Sequence, residues 1–279
     1  MFNNKKATTL FIVEGVKKEV QLFTNIGSFW FKNKDIKYII LPACGNIYIL
    51  YQMLKRDDFE TDLIEVIKEK ISNATLKNLD NNQVEEINSL RSQDIDETYL
   101  FFDYDAQTNN LFGDKSPNTV ISEMLDIFDN ETDIGKLYIS YPMIEALRDR
   151  IDDSCNTITG CIYNINNLLK YKHDSSVSFN NHEYSKEDWQ QAITSFILRL
   201  SHLFEKNEVL SFDEYKNFIT NVSIFNKELE FIENDFVFVL SAIPKFLLDY
   251  FPIKIWNTFI KRKKLICCSQ KEKHCMTKH

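Results

Sequence analysis

Four acidic residues stand where short apolar runs end. Glu14 follows residues 8–13, Asp103 and Asp105 follow 98–102, and Glu145 lies just past 136–140. The first run is apolar or β-branched on consecutive positions, the pattern of a strand buried on both faces. In parallel α/β sheets, ligands collect outside the carboxyl ends of the strands. Acids far apart in sequence can therefore converge there. The spacing Asp103-x-Asp105 puts both carboxylates on one side of an extended segment. Clustered carboxylates repel unless a cation neutralises them, and an all-oxygen donor set suits Mg²⁺ or Mn²⁺. The plainer alternative is that these acids cap helices or face water. No histidine precedes His173. Proton transfer in the first half then falls to carboxylates, Lys, Tyr, Cys or metal-bound water. Metal-assisted phosphodiester chemistry fits that inventory, whereas a serine or cysteine triad would need a histidine from the second half.

Positioning these acids requires a sheet. The strand at 8–13 is broken by Glu14-Gly15, and Val16, Val20, Phe23, Ile26 and Trp30 then recur at helical steps. A second strand at 36–41 stops at Pro42, and Gly45 precedes a helical segment over 47–54. Residues 55–97 are dense in Asp, Glu, Lys and Asn, with weak amphipathic helices near 58–71 and 83–90, and read as a helical insertion. Strand 98–102, a loop over 106–117, a helix over 118–129 and strand 136–140 follow. The alternation predicts an α/β fold with a largely parallel sheet. From 150 to 260 the pattern is mainly α-helical, with a stripe of Trp189, Ile193, Phe196, Ile197, Leu200 and Phe204. Ser185 with Asp188, and Ser211 with Glu214, have capping-box spacing. The expected division is 1–150, carrying the insertion 55–97, then a helical region 151–260 and a tail 261–279.

Composition excludes several classes. The chain of 279 residues holds only 6 glycines, spaced so that neither a Walker phosphate loop nor a G-x-G-x-x-G fingerprint is possible. A G-x-S-x-G nucleophile elbow is also missing from the sequence. The formal charge of −8 argues against coating nucleic acid by bulk charge, though a nuclease cleft can be locally positive. No apolar stretch approaches the roughly 18 residues of a membrane span, and no amino-terminal signal is legible. With six cysteines and no C-x-x-C, the expectation is a cytoplasmic protein with reduced thiols and no membrane association.

Leu10-Phe11-Ile12-Val13-Glu14-Gly15, a helix, and then Phe101-Phe102-Asp103-Tyr104-Asp105 resemble the Toprim domain of primases, topoisomerases, recombination proteins and OLD-type nucleases. The resemblance covers roughly residues 7–150 without the insertion. It implies Glu14 as general acid/base, and Asp103 and Asp105 as ligands of Mg²⁺ or Mn²⁺. Gly45, in Pro42-Ala43-Cys44-Gly45-Asn46, lies where many such domains have a glycine after the second strand. Tyr141-Pro142-Met143-Ile144-Glu145 is similar to a segment of RloB-type Toprim proteins of phage-defence loci, which adds Glu145 to the metal site. Departures are the Val16-Lys17-Lys18-Glu19 turn, the long 55–97 segment, and the lack of a fused ATPase or primase modules.

The reading implied is a Toprim-type metal-dependent nuclease acting on DNA or RNA, as the toxic effector of an anti-phage system. Its expected partners are the nucleic acid, a separate ATPase that restrains it, and a second copy in a homodimer. The alternative is a non-catalytic Toprim scaffold that binds nucleic acid or a protein; a primase-like transferase lacks any visible triphosphate site. Lys17 and Lys18 are candidate phosphate contacts or simply a solvated first turn. Lys261-Arg262-Lys263-Lys264 is a basic helix end or a nucleic-acid contact. Cys267, Cys268, His274, Cys275 and His279 match no common zinc spacing. Cys155 and Cys161 read as buried thiols.

Overall fold

The structure is a computed structural model that describes residues 7–32, 36–71, 81–105, 115–149, 160–177, 184–206 and 208–257. The expected loop over 106–117 and the tail from 261 therefore lie mostly or wholly outside the described residues, as does Cys155.

The chain opens with β1 (Ala7–Val13), α1 (Lys18–Ile26), a π-helical turn (Gly27–Phe31) and β2 (Ile36–Pro42). Three helices follow, α2 (Ile47–Lys55), α3 (Leu63–Lys70) and α4 (Asn81–Ser89). Next come β3 (Glu97–Asp103), α5 (Pro117–Ile127), β4 (Asp129–Asn130) and β5 (Gly135–Ser140). The single helix expected over 16–30 is thus two pieces.

The sheet has the order β2-β1-β3-β5-β4, with β2, β1, β3 and β5 parallel and β4 antiparallel at the edge. Parallel strands need coverage on both faces, and β1 shows why its sequence is apolar throughout: Leu10, Phe11, Ile12 and Val13 are all fully buried. Register places Val13 beside Phe101 and Asp103 beside Ser140, so the strands end in step. The acids that follow them share one edge for that reason.

Within 55–97, Asp62 caps α3 through its carboxylate, which accepts from Ile64 N and Glu65 N, and α3 buries Ile64, Val66 and Ile67. Asp96 ties the end of this segment to β1, accepting from Thr8 N at 2.7 Å. The segment is fastened to the sheet where it enters β3.

Beyond residue 160 the chain forms β6 (Ile162–Asn164), α6 (Leu168–Val177), α7 (Lys186–Leu203), α8 (Phe212–Phe218), α9 (Asn221–Ile232), β7 (Phe236–Phe238) and α10 (Ala242–Tyr250). The capping boxes at Ser185/Asp188 and Ser211/Glu214 form as their spacing suggested. The antiparallel β6–β7 ribbon was not anticipated, because three-residue strands give no readable period. Packing joins this region directly to the sheet. Phe246 of α10 sits edge-on against Phe11, Phe101 and Tyr138 at 5.5, 5.3 and 5.8 Å. Phe23 of α1 meets Phe101 at 4.5 Å on the same face.

Candidate functional site

Glu14 leaves β1 at its carboxyl end, and its side chain turns onto the neighbouring strand. The backbone N–H of Asp103 donates to Glu14 Oε2 at 3.0 Å. Two residues 89 positions apart are thereby held together by the parallel pairing of β1 and β3. Burial raises the Glu14 carboxyl to about 7 from an ordinary 4.5; the Asp103 N–H bond opposes this, the charges of Glu19 and Asp105 add to it, and Lys172 opposes it. Burial likewise pushes Asp103 well above the usual carboxylate range, with Glu14, Glu145 and Glu19 adding and Lys172 opposing. Both acids resist ionisation chiefly because they are buried, and nearby carboxylates add to that, so a bound cation would favour their charged forms.

Asp105 follows with φ of 41°, a left-handed conformation that Asp tolerates better than most residues. Asn46 Nδ2 donates to its Oδ2 at 3.3 Å, while Asn46 Oδ1 caps α2 by accepting from Ile49 N. Asn46 thus couples the loop after β2 to the Asp-x-Asp loop. Cys44, two residues earlier, also has positive φ, at 58°. Backbone strain on two loops of one sheet edge is the kind that functional sites retain. Glu145 sits in a 3-10 turn (Ile144–Leu147) and is buried, its charge reaching Asp103 and Arg148.

Cations ring these acids. Lys70, the last residue of α3, lies with its Nζ against the Cα of Gly45; a Cβ there would stand 1.8 Å from the ammonium. Gly45 is the residue whose missing side chain admits Lys70. Burial lowers the Lys70 ammonium, and the nearby Glu14 and Cys44 partly offset that. Lys172, exposed on α6, reaches Glu14 and Asp103 with its charge. Burial lowers Arg148 to about 10 against the opposing pull of Glu145 and Glu19.

Glu19 in the first turn of α1 folds its carboxylate over Gly15, where a Cβ would meet Oε2 at 2.1 Å. The sequence reading passed over Glu19, Asn46, Lys70, Arg148 and Lys172. For Glu19 a signal existed, an acid in the first turn after a strand-glycine break. Lys17 and Lys18 are exposed at the start of α1 and make no hydrogen bond or ion pair with the acids.

The donor set is hard oxygen throughout, which suits a hard divalent ion, and such an ion would offset the burial and acidic neighbours that raise Glu14 and Asp103. Among the described residues, no three acid, imidazole or thiol groups already stand close enough to hold an ion jointly. Side chains would have to close around it. No helix among the described residues is long and apolar enough to cross a membrane. Protein-family models, curated proteins and solved structures were compared with the chain, and none matches.

Proposed function

We propose that the protein is a divalent-metal-dependent phosphodiesterase of Toprim type, acting on nucleic acid. The observation that carries this reading is the hydrogen bond from Asp103 N to Glu14 at the carboxyl edge of adjacent parallel strands, with Asp105 and Glu145 within electrostatic reach. Asp103, Asp105 and Glu145 would hold Mg²⁺ or Mn²⁺, which supplies charge stabilisation to a phosphate under attack. A carboxyl raised to about 7 is near the best value for taking and returning a proton at neutral pH, the role given to Glu14. Lys70 of α3 and Lys172 of α6 both lie within electrostatic reach of Glu14 and would hold non-bridging phosphate oxygens. Gly45 serves by leaving room for Lys70.

A toxic role in phage defence, with an ATPase partner or a homodimer, extends this reading by the Toprim resemblance alone. The second reading, a non-catalytic scaffold, draws on the acids' lack of a preformed ion cage among the described residues. Two measurements separate them. Calorimetric titration of the purified chain with Mg²⁺ and Mn²⁺ should show binding that Asp103→Asn removes. Cleavage of plasmid DNA or single-stranded RNA should depend on the same ions and vanish in Glu14→Gln. Metal binding without cleavage of either substrate would favour the scaffold; cleavage that survives Glu14→Gln would end the assigned role.

A further inference from the structure

A cavity of about 640 Å³ lies at the other end of the sheet, away from the acids. Its wall includes Lys136 at the start of β5, Asp129 of β4, and residues of α5, α8, α9 and α10. The volume falls in the range of small-molecule sites, roughly 300–1,000 Å³. Leu125, Phe128, Ile219 and Leu248 give it apolar walls. Val222 and Ile253 line it as well and are 37% and 67% exposed, so an occupant would cover apolar surface now facing water.

One polar group of that wall is built in. Lys245 is only 4% exposed, and its Nζ donates to both oxygens of Asp249 at 2.7 and 2.6 Å. Asp249 is fully engaged, since Tyr215 Oη donates to Oδ1 at 2.6 Å and Tyr138 Oη to Oδ2 at 3.0 Å. An ammonium has three N–H groups. Among the described residues Asp249 is the only acceptor Lys245 meets, which leaves one N–H over. Lys245 also lies 5.1 Å from the centre of the Tyr215 ring, which fixes its place. A held ammonium with a spare donor in an apolar cavity recognises an acceptor oxygen, best an anionic one. Lys216, exposed on the same wall, meets no acid among the described residues. Lys136 adds a third cation, shared with Glu131 at 3.3 Å. Three lysines against Asp129 and Asp249 make the lining net positive on a chain whose formal charge is −8.

We propose that this cavity binds a small amphipathic anion, an apolar body about the size of a fused bicyclic ring carrying one carboxylate or phosphate, with the head between Lys245 and Lys216. The inference is independent of the acid site. Calorimetric titration of the full chain with 1-naphthoate, 1-naphthyl phosphate and the neutral 1-naphthylmethanol tests it. At least one anion should bind on the order of tenfold more tightly than the alcohol, and the stronger of the two identifies the head group. Val222→Trp, at the mouth, should abolish binding of all three. Lys216→Glu should remove the preference for anions; both substitutions are at exposed positions, and circular dichroism checks that they fold. The paired change Lys245→Met with Asp249→Asn removes both charges together and should also erase the preference. Equal affinity for the alcohol, binding that survives Val222→Trp, or no binding of any probe by the wild type would each overturn the proposal.

Discussion

Replacing Glu14 by Gln should make the metal-free protein more stable, and more so as pH rises. The folded protein holds the Glu14 proton more tightly than the unfolded chain does, about 7 against 4.5, chiefly because the ionised carboxylate is poorly solvated. A raised carboxyl contributes its stability in full below the unfolded value and loses it as pH climbs through the folded one. The loss is about 1 kcal/mol at pH 5 and about 3 kcal/mol at pH 8, from 1.36 kcal/mol per pKa unit. Gln keeps an acceptor for the Asp103 N–H and carries no charge, so it escapes that loss. The variant's melting temperature at pH 8 should exceed the wild type's by roughly 6–12 °C, at about 2–4 °C per kcal/mol for a chain of this size, with a much smaller gap at pH 5. Added Mg²⁺ should narrow the gap. At ten times its Kd a ligand stabilises by about 1.4 kcal/mol, and only the wild type gains fully from it. Melts in EDTA from pH 5 to 8, repeated with Mg²⁺, read all of this. A gap that stays constant with pH would refute the claim that Glu14 is strained by desolvation and by its acidic neighbours.

Other outcomes follow from the same geometry. Asn46→Ala should cost about 1 kcal/mol as a lost helix cap and, by releasing Asp105, should weaken Mg²⁺ binding; equal metal affinity in wild type and variant would mean Asp105 needs no such support. Lys70→Met should leave the melting temperature level or slightly higher, since it removes a partly desolvated charge, yet should lower nucleic-acid cleavage at least tenfold; unchanged cleavage would remove Lys70 from the site. Phe246→Ala should cost about 3–5 kcal/mol by opening a cavity between α10 and the sheet, read by urea denaturation, and a loss under 1 kcal/mol would contradict the packing described.

The four parallel strands were legible because each carries a short apolar or aromatic stretch bounded by turn residues or charges, and two-sided burial leaves few other uses for such stretches. Glu14, Asp103 and Asp105 were legible because strand ends in step imply a shared edge. What surrounds them was not. Lys70 arrives from the end of α3 and Lys172 from within α6, and no periodicity shows which strand edge a helix will reach once it packs. Asn46 was visible only as part of a turn, since its bond to Asp105 spans 59 positions. Short elements escaped for a simpler reason. The two residues of β4 and the three each of β6 and β7 are below the length at which alternation can be seen.

The aromatic face formed by Phe11, Tyr99, Phe101 and Tyr138 is covered by α10, which begins more than a hundred residues after β5 ends. During synthesis the four parallel strands emerge long before that cover does. Until Phe246 has left the ribosome, that face has only part of its cover, from Phe23 and Phe31. Such distant pairings also slow folding, because a long loop closes before its contacts stabilise anything. A fragment ending near residue 150 would keep every acid of the candidate site and still lack the α10 cover on the sheet that carries them. The pairing of β1 with β3 sets Glu14 against Asp103, and the packing of α10 is the late step that completes the core beneath them.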